Sequence, residues 1–539
     1  MLTTSMTMSD AILQVAESRP SQEVFVCCRT RFTNRQLLDR IRSLQRGLAD
    51  LGITKGDRVA TILPPGPGFA VLFFALAGLG AVMVPLSPEM RLQGLRDILT
   101  DADPAAVVSV EPLAEEVLQA LPRAPRLILA ERGDPSLESL MEAGSPLQAP
   151  VPVSPEDLLT LLYTSGTTGR PKATMHSHRS MIAPVVATLK VRELWLRPSS
   201  LRTVVDMART VTRYRSRVLR AAGRPQTILS TGGWHTITGL HVMLQGLLMG
   251  DRLAVLPRFH PQEALSMVAR EHVTVLVAVP VAYLAMLALA DFDGYDTSSL
   301  MVCATGGAHC PPTLALEIKQ RFKCALYNGF GMTETAGGIA VTSLSDSNAE
   351  QSQTVGRPMP GIDLRIVDEQ RRDLSPGEVG ELAVRGEGVM LGYYHAPEQT
   401  ANVLDGEGWL YTGDLARIDE KGYLHIVGRS KDVIIRGGQN IYPAEIENHL
   451  HAHPAIMEAA VVGVPARVGG EAVWAFVRLR EGCAMTAQAV LDYCRGTLEP
   501  FKVPSQVRFV SELPHAEQGK SQKFKLRAAA TSELSGGAS

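Results

Sequence analysis

An α/β fold with parallel, doubly wound layers is predicted by two features of the chain. Short apolar strand-like runs alternate with segments of helical periodicity, and glycine or proline marks the changes between them. A length of 539 residues exceeds one hydrophobic core and points to several folding units. The first clear helix opens after Phe32-Thr33, where Leu37, Leu38, Ile41, Leu44, Leu48 and Leu51 recur at helical spacing and Gly52 ends the run. Residues 57–63 then read as a strand, 66–79 as a helix and 81–85 as a strand. The rhythm returns at 105–110 and 126–130, before a proline-rich linker at 145–155.

The apolar run Leu161-Leu162-Tyr163 stops in Thr164-Ser165-Gly166-Thr167-Thr168-Gly169-Arg170-Pro171-Lys172, which reads as a buried strand feeding a polyphosphate loop. Gly166 and Gly169 allow positive φ and bring backbone N–H groups toward an anion. Thr164, Ser165, Thr167 and Thr168 add hydroxyl donors, and Lys172 adds charge. The glycines are three apart and a proline precedes the lysine, so this is not the G-x-x-x-x-G-K-[ST] loop. A plain polar turn is the competing reading of this segment alone.

Apolar content of 45%, charged content of 20% and a net charge of −2 give no global bias toward nucleic acid or membrane. Seven cysteines (Cys27, Cys28, Cys303, Cys310, Cys324, Cys483, Cys494) form no CxxC pair. Neither a disulfide framework nor a zinc site is suggested, and a reducing cytoplasm fits. No secretion signal is predicted at the N-terminus, and no transmembrane helix, because the apolar run at 69–85 is short and interrupted by glycine.

The segment 189–224 carries ten Lys/Arg against Glu193 and Asp206. If Ser200 caps a helix there, Arg202, Arg209, Arg213, Arg217, Arg220 and Arg224 share one face, opposite Val204, Ala208, Val211 and Val218. A solvated face docked by its valines is favoured over a landing surface for an anionic partner. Beyond it, a glycine-punctuated apolar stretch (232–256), a helix from Pro261 and a strand at 275–279 resume the α/β order.

Four more segments follow: Thr305-Gly306-Gly307-Ala308; Tyr327-Asn328-Gly329-Phe330-Gly331-Met332-Thr333-Glu334-Thr335; Tyr411-Thr412-Gly413-Asp414; and Gly428-Arg429-Ser430-Lys431-Asp432, running on to Arg436-Gly437-Gly438-Gln439-Asn440-Ile441-Tyr442-Pro443. With the loop at 164–172, and in this order, they resemble the AMP-forming acyl-adenylating superfamily of acyl-CoA synthetases, nonribosomal adenylation domains and beetle luciferases. The pattern is nearest to the acyl-CoA synthetases. The resemblance implies a large N-terminal domain of α/β subdomains (1–430) holding the ATP and acid sites. A small mobile α+β C-terminal domain (431–539), hinged at Lys431, would carry the catalytic lysine. It also implies two steps: a carboxylate attacks the α-phosphorus of ATP and releases pyrophosphate, then a thiol attacks the acyl-adenylate.

By the same resemblance Glu334 holds Mg2+, Thr333 touches a phosphate, and Phe330 stacks on adenine beside Asn328 and Gly329, where the family usually has tyrosine in place of phenylalanine. Gly307 and Ala308 give adenine and acyl group room, Asp414 binds the ribose hydroxyls with support from Arg429, and Lys520 bridges the carboxylate and the nucleotide. Gly437 and Gly438 would let a pantetheine arm pass after domain rotation. The stretch Gly233-Trp234-His235-Thr236-Ile237-Thr238-Gly239 resembles the family's acid-pocket element, with His235 as gate. Trp234, Thr236, Gly239, Ala304 and Gly306 would line the pocket.

This stretch has no aspartate for an α-ammonium group and no asparagine for an ortho-hydroxyl, so an apolar carboxylic acid is expected. ATP, Mg2+ and coenzyme A are the implied cofactors. A separate acyl carrier protein is the alternative thiol, docking on the arginine face, and a homodimer is left open. A luciferase-like oxygenase would share every adenylation motif and reveal itself by light or oxygen uptake. A non-catalytic acyl-nucleotide binder is disfavoured by intact Lys172, Glu334, Asp414 and Lys520.

Overall fold

The computed structural model describes the chain except residues 1, 29, 113–116, 118, 120, 122–124, 132–135, 143–146, 148, 165–171, 197–203, 206–207, 213, 215–223, 467–469, 516–520 and 537–539. Two large sheets dominate. In the seven-stranded sheet the strands Leu158–Thr164, Val82–Pro85, Arg58–Ile62, Ala106–Ser109 and Arg126–Leu129 run parallel in that spatial order. Lys172–Ser177 and then Gly392–Tyr393 are added antiparallel at one edge. In the nine-stranded sheet Ala325–Met332, Val302–Thr305, Val275–Ala278, Thr227–Ser230, Arg252–Val255 and Glu23–Cys27 are parallel neighbours, and antiparallel strands close both edges. Strands such as Val82–Pro85 and Ala106–Ser109 are buried at every residue, because layers cover both faces of a parallel sheet.

One continuous core holds Phe25 and Leu253 of the nine-stranded sheet, Val59 and Met83 of the seven-stranded sheet, and residues of the helices Met8–Ser18, Asn34–Asp50, Pro67–Leu79 and Ile237–Leu248. These helices lie between the two sheets. Pro67–Leu79 is apolar all round, starts with proline in its first turn and stops at Gly80 in the left-handed region. Asn34–Asp50 begins with a capping box: the Thr33 hydroxyl accepts from the Gln36 N–H, and the Gln36 side chain accepts from the Thr33 N–H. Its buried Leu37, Leu38, Ile41, Leu44 and Leu48 are the periodic residues of the sequence.

A four-stranded antiparallel sheet (Ile362–Val367, Gly380–Gly386, Leu410–Ile418, Leu424–Arg429) completes the large N-terminal domain. After the short turn Ser430–Asp432 comes the hairpin Ile434–Arg436/Gln439–Ile441, followed by a small domain in which helices flank the sheet Ile456–Pro465, Glu471–Leu479, Gln506–Phe509. The small domain has its own core of Ile434, Ile446, Leu450, Val461, Val473 and Val490. His309 Nε2 donates to Asn448 Oδ1 (2.7 Å) and the Thr313 hydroxyl to the His451 carbonyl (3.4 Å), joining it to the nine-stranded layer. Among the described residues no helix is long and apolar enough to cross a membrane.

Most of the basic segment 200–224 lies outside the described residues, including Ser200, Arg202, Arg213, Arg217, Arg220 and Val218. What is described shifts the expected docking face. Val204 and Ala208 are exposed, whereas Thr210 is buried and Tyr214 packs against the cluster of Val302, Ala325 and Leu344. Arg192 is not a solvated charge: it forks onto Asp251 at 3.0 Å, whose side chain is buried.

Candidate active site

The strands Leu158–Thr164 and Lys172–Ser177 pair antiparallel with Thr164 opposite Lys172, so both ends of the glycine-hydroxyl loop meet at one sheet edge. Ser165, Gly166, Thr167, Thr168 and Gly169 lie outside the described residues. Lys172 Nζ stands 5.5 Å from the centroid of the Tyr393 ring. Tyr393 is held there because Gly392–Tyr393 pairs with Met175 and Thr174 of the same strand, and because its N–H donates to Thr400 Oγ1 at 2.9 Å.

The Tyr393 hydroxyl donates to Glu334 Oε1 at 3.0 Å. Burial, and then the Glu334 charge, push the phenol pKa up, so the hydroxyl keeps its proton and remains a donor. Glu334 and Thr333 sit in a tight turn after Ala325–Met332. Met390 N–H donates to the Glu334 carbonyl (2.8 Å) and His176 Nε2–H to the Thr333 carbonyl (2.8 Å). His176 is fully buried, and that burial pulls its pKa down to about 4, leaving a neutral ring as a fixed brace. The turn also needs a backbone without a side chain, since a Cβ on Gly331 would lie 2.1 Å from the Gly337 carbonyl oxygen. Tyr393 and His176 are residues that the motifs alone do not reveal.

In the four-stranded sheet, Asp414 and Arg429 are direct cross-strand partners, with Arg429 Nε donating to Asp414 Oδ1 at 3.0 Å. The next turn contains Lys431, whose pKa is lowered by desolvation and by the neighbouring Arg429. Gly437 (φ 59°) and Gly438 (φ 80°) form the exposed two-residue turn of a hairpin, a conformation that requires positive φ at both positions. Asn328 braces the strand from within, as its N–H donates to Thr342 Oγ1 and its Nδ2 to the Thr354 carbonyl, each at 2.9 Å. Gly329 and Phe330 are half-buried beside it, and Gly306 faces Gly329 so closely that a Cβ would be 2.9 Å from its carbonyl oxygen. Gly307 and Ala308 follow at the mouth of this strand pair, while Ala304 sits within it, opposite Tyr327. Lys520 lies outside the described residues.

On the acid side three expected pocket residues are tied into the scaffold. Trp234 is only 3% exposed and packs against Phe25 (6.1 Å between centroids) and edge-on to Phe69 (5.7 Å). Thr236 is the N-cap of the helix Ile237–Leu248, accepting from the Gly239 N–H and donating to the Gly233 carbonyl at 2.8 Å. Gly239 is a packing glycine, because a Cβ there would fall 2.3 Å from the Gly233 carbonyl oxygen. His235 is half-buried, and its ring lies over Gly233.

A hard carboxylate oxygen beside a phosphate-loop lysine suits Mg2+ held between protein and polyphosphate. Among the described residues Glu334 Oε2 has no hydrogen-bond donor, leaving it available to a cation. Two large α/β layers, the Glu334 carboxylate near Lys172 and the Asp414–Arg429 pair suit a nucleotide-dependent enzyme. Comparison with known proteins agrees. The AMP-binding enzyme model matches residues 12–394, and the AMP-binding enzyme C-terminal domain model matches residues 445–520.

A feruloyl-CoA synthase from an Amycolatopsis species is 34% identical over 498 residues, covering 92% of this chain and 94% of the relative. A sulfoacetate–CoA ligase from Cupriavidus necator is 33% identical, covering 90% of each. Among solved structures, ATP-bound MatB from Rhodopseudomonas palustris superposes with a TM-score of 0.84 at 29% identity, over 98% of this chain and 99% of that one. The chain belongs to the AMP-binding enzyme family. Within it the protein is an AMP-forming acid–thiol ligase: it activates a carboxylate as acyl-AMP and transfers the acyl group to coenzyme A, using ATP and Mg2+.

Proposed function

We propose that the two half-reactions are divided among the residues as follows. The loop 164–172 and Lys172 grip the β- and γ-phosphates, Thr333 contacts a phosphate, and Asp414 with Arg429 holds the ribose. Phe330, Gly307 and Ala308 frame the adenine, beside Gly329 and above the brace made by Asn328. Glu334 holds Mg2+, which when bound offsets charge on the phosphoryl oxygens. A carboxylate oxygen of the acid forms a bond to the α-phosphorus as the bond to the β-phosphate bridging oxygen breaks, and pyrophosphate leaves. Lys520 is assigned the role of bridging the carboxylate and the nucleotide, and His235 that of gating the carboxylate end.

Residues 1–430 and 431–539 act as the two domains, turning about Lys431. After that rotation Gly437 and Gly438 pass the pantetheine arm, and the thiol sulfur displaces AMP from the acyl carbon. The observation that supports this reading best is the convergence of Lys172, Tyr393 and Glu334, which fixes a phosphate-directed cation next to a metal-directed carboxylate. The acid in this reading is an apolar carboxylic acid. A separate acyl carrier protein is a second acceptor only if the incompletely described 189–224 segment presents its arginines outward, and the Arg192–Asp251 pair already removes one of them. A cytoplasmic setting agrees with cysteines that form no disulfide.

Acid-dependent ATP–pyrophosphate exchange, followed by thioester formation on adding coenzyme A, tests the scheme. Lys520→Ala is expected to lower exchange by about 100-fold or more while a preformed acyl-adenylate is still passed to coenzyme A. Exchange at the wild-type rate would remove Lys520 from the first step.

A further inference from the structure

In the four-stranded sheet Ala383 pairs with Tyr411 and Glu381 with Leu415, so the single residue Leu382 faces Thr412, Gly413 and Asp414. The strand Leu410–Ile418 bulges here. A bulge takes backbone groups out of the ladder and turns a side chain in a new direction. Side chains replace the missing ladder partners. The Thr412 hydroxyl donates to the Leu382 carbonyl (2.8 Å) and accepts from the Asp414 N–H (3.1 Å). The Gly413 N–H donates to Glu381 Oε1 at 2.8 Å, and the Gly413 carbonyl accepts from the Ser430 hydroxyl at 3.2 Å.

Gly413 is thus held on both sides, with its φ of 70° setting the angle between the N–H and the carbonyl. Glu381 belongs to the neighbouring strand Gly380–Gly386, and Ser430 to the turn Ser430–Asp432 that contains Lys431. Among the described residues Glu381 forms no ion pair, so its half-buried carboxylate is compensated by the Gly413 N–H. A regular ladder would satisfy the same backbone groups without spending a carboxylate on them. The bulge is accounted for by the direction it gives to Asp414.

Asp414 is only 5% exposed, and Arg429 Nε fixes its carboxylate end. Glu381 and Ser430 fix the backbone from which that carboxylate extends. An oxygen set to receive paired hydroxyls must be held in direction as well as in distance.

We propose that Glu381 and Ser430 are positioning residues for the ribose of the nucleotide, acting through Gly413 on Asp414, and that Ser430 ties this contact to the turn at Lys431. The proposal rests on the reading of Asp414 as the ribose ligand. A rotation at Lys431 that carries Ser430 away withdraws the bond to the Gly413 carbonyl, so the hold on ribose loosens in the orientation from which AMP leaves. By linkage, a bound nucleotide favours the orientation that keeps this bond by the same factor.

The test is calorimetric titration of the full-length enzyme with ATP and with 2′,3′-dideoxy-ATP, each with Mg2+ and without any acid. The wild type is expected to bind ATP about 10-fold or more tightly than the dideoxy nucleotide, and Asp414→Asn to bring the two together. Glu381→Ala should weaken ATP by about 10-fold and Ser430→Ala by about 3-fold, both leaving the dideoxy nucleotide unmoved. Glu381→Gln, which keeps an oxygen acceptor for the Gly413 N–H, should restore most of the ATP affinity. Equal loss on both nucleotides, or loss on neither, in Glu381→Ala overturns the proposal, because a purely structural glutamate would not distinguish them. ATP affinity untouched by Ser430→Ala overturns the tie to the turn at Lys431. If the alanine variant of Glu381 does not fold, Glu381→Gln against Glu381→Leu decides on the same two nucleotides. A wild type that binds both nucleotides equally would instead count against Asp414 as the ribose ligand, and the proposal would fall with it.

Discussion

The nucleotide side and the acid side of the cleft are built on different plans. On the nucleotide side the motif residues are tied to one another or to a neighbour by side-chain bonds, as Arg429 is to Asp414 and Tyr393 to Glu334. On the acid side Trp234, Thr236 and Gly239 of the recognisable segment are tied instead into the core and the start of a helix. Short motifs can thus hold side chains against one another or hold the backbone that carries them.

Three substitutions would break or sharpen this contrast. The largest effect is expected from Trp234→Ala, which removes a core indole and should lower unfolding stability by about 3–5 kcal/mol in urea titrations. The remaining folded enzyme should keep its KM for the acid. A large rise in acid KM at unchanged stability would return Trp234 to the pocket. Next is Tyr393→Phe, which keeps the ring near Lys172 but releases Glu334. A fall in kcat of about 10-fold at limiting Mg2+, recovering as Mg2+ is raised, is expected with acid KM unmoved. A loss independent of Mg2+ would mean that the phenol supports only the strand.

The smallest effect belongs to Thr236→Ala, where loss of the helix cap should cost about 1 kcal/mol of stability in thermal or urea unfolding. The ranking of acids should not change. A reordered acid preference would show that the hydroxyl reaches substrate.

The layered α/β core was legible in the sequence because its strands are continuous apolar runs and its helices carry local stop and start signals. Thr33 with Gln36 and the Pro67 to Gly80 boundaries are examples. The ordered nucleotide motifs were legible for the same reason, each being contiguous. Tyr393 was not, since its bond to Glu334 spans 59 residues and depends on a two-residue strand added to a sheet edge. The packing of Trp234 was not legible because an aromatic beside a gate histidine suits a core as well as a pocket, and its contacts Phe25 and Phe69 come from distant parts of the chain. In the described part of the basic segment, Val204 and Ala208 of the expected docking face are exposed and Tyr214 packs instead, because the neighbour sets which side of an amphipathic helix docks.

The arrangement of the helix Ile237–Leu248 has a practical consequence for redesign. Nine positions are committed to the interior, and Thr238, His241 and Gln245 are the three that are not. A combinatorial library confined to those three would therefore leave the folding core outside the mutated set.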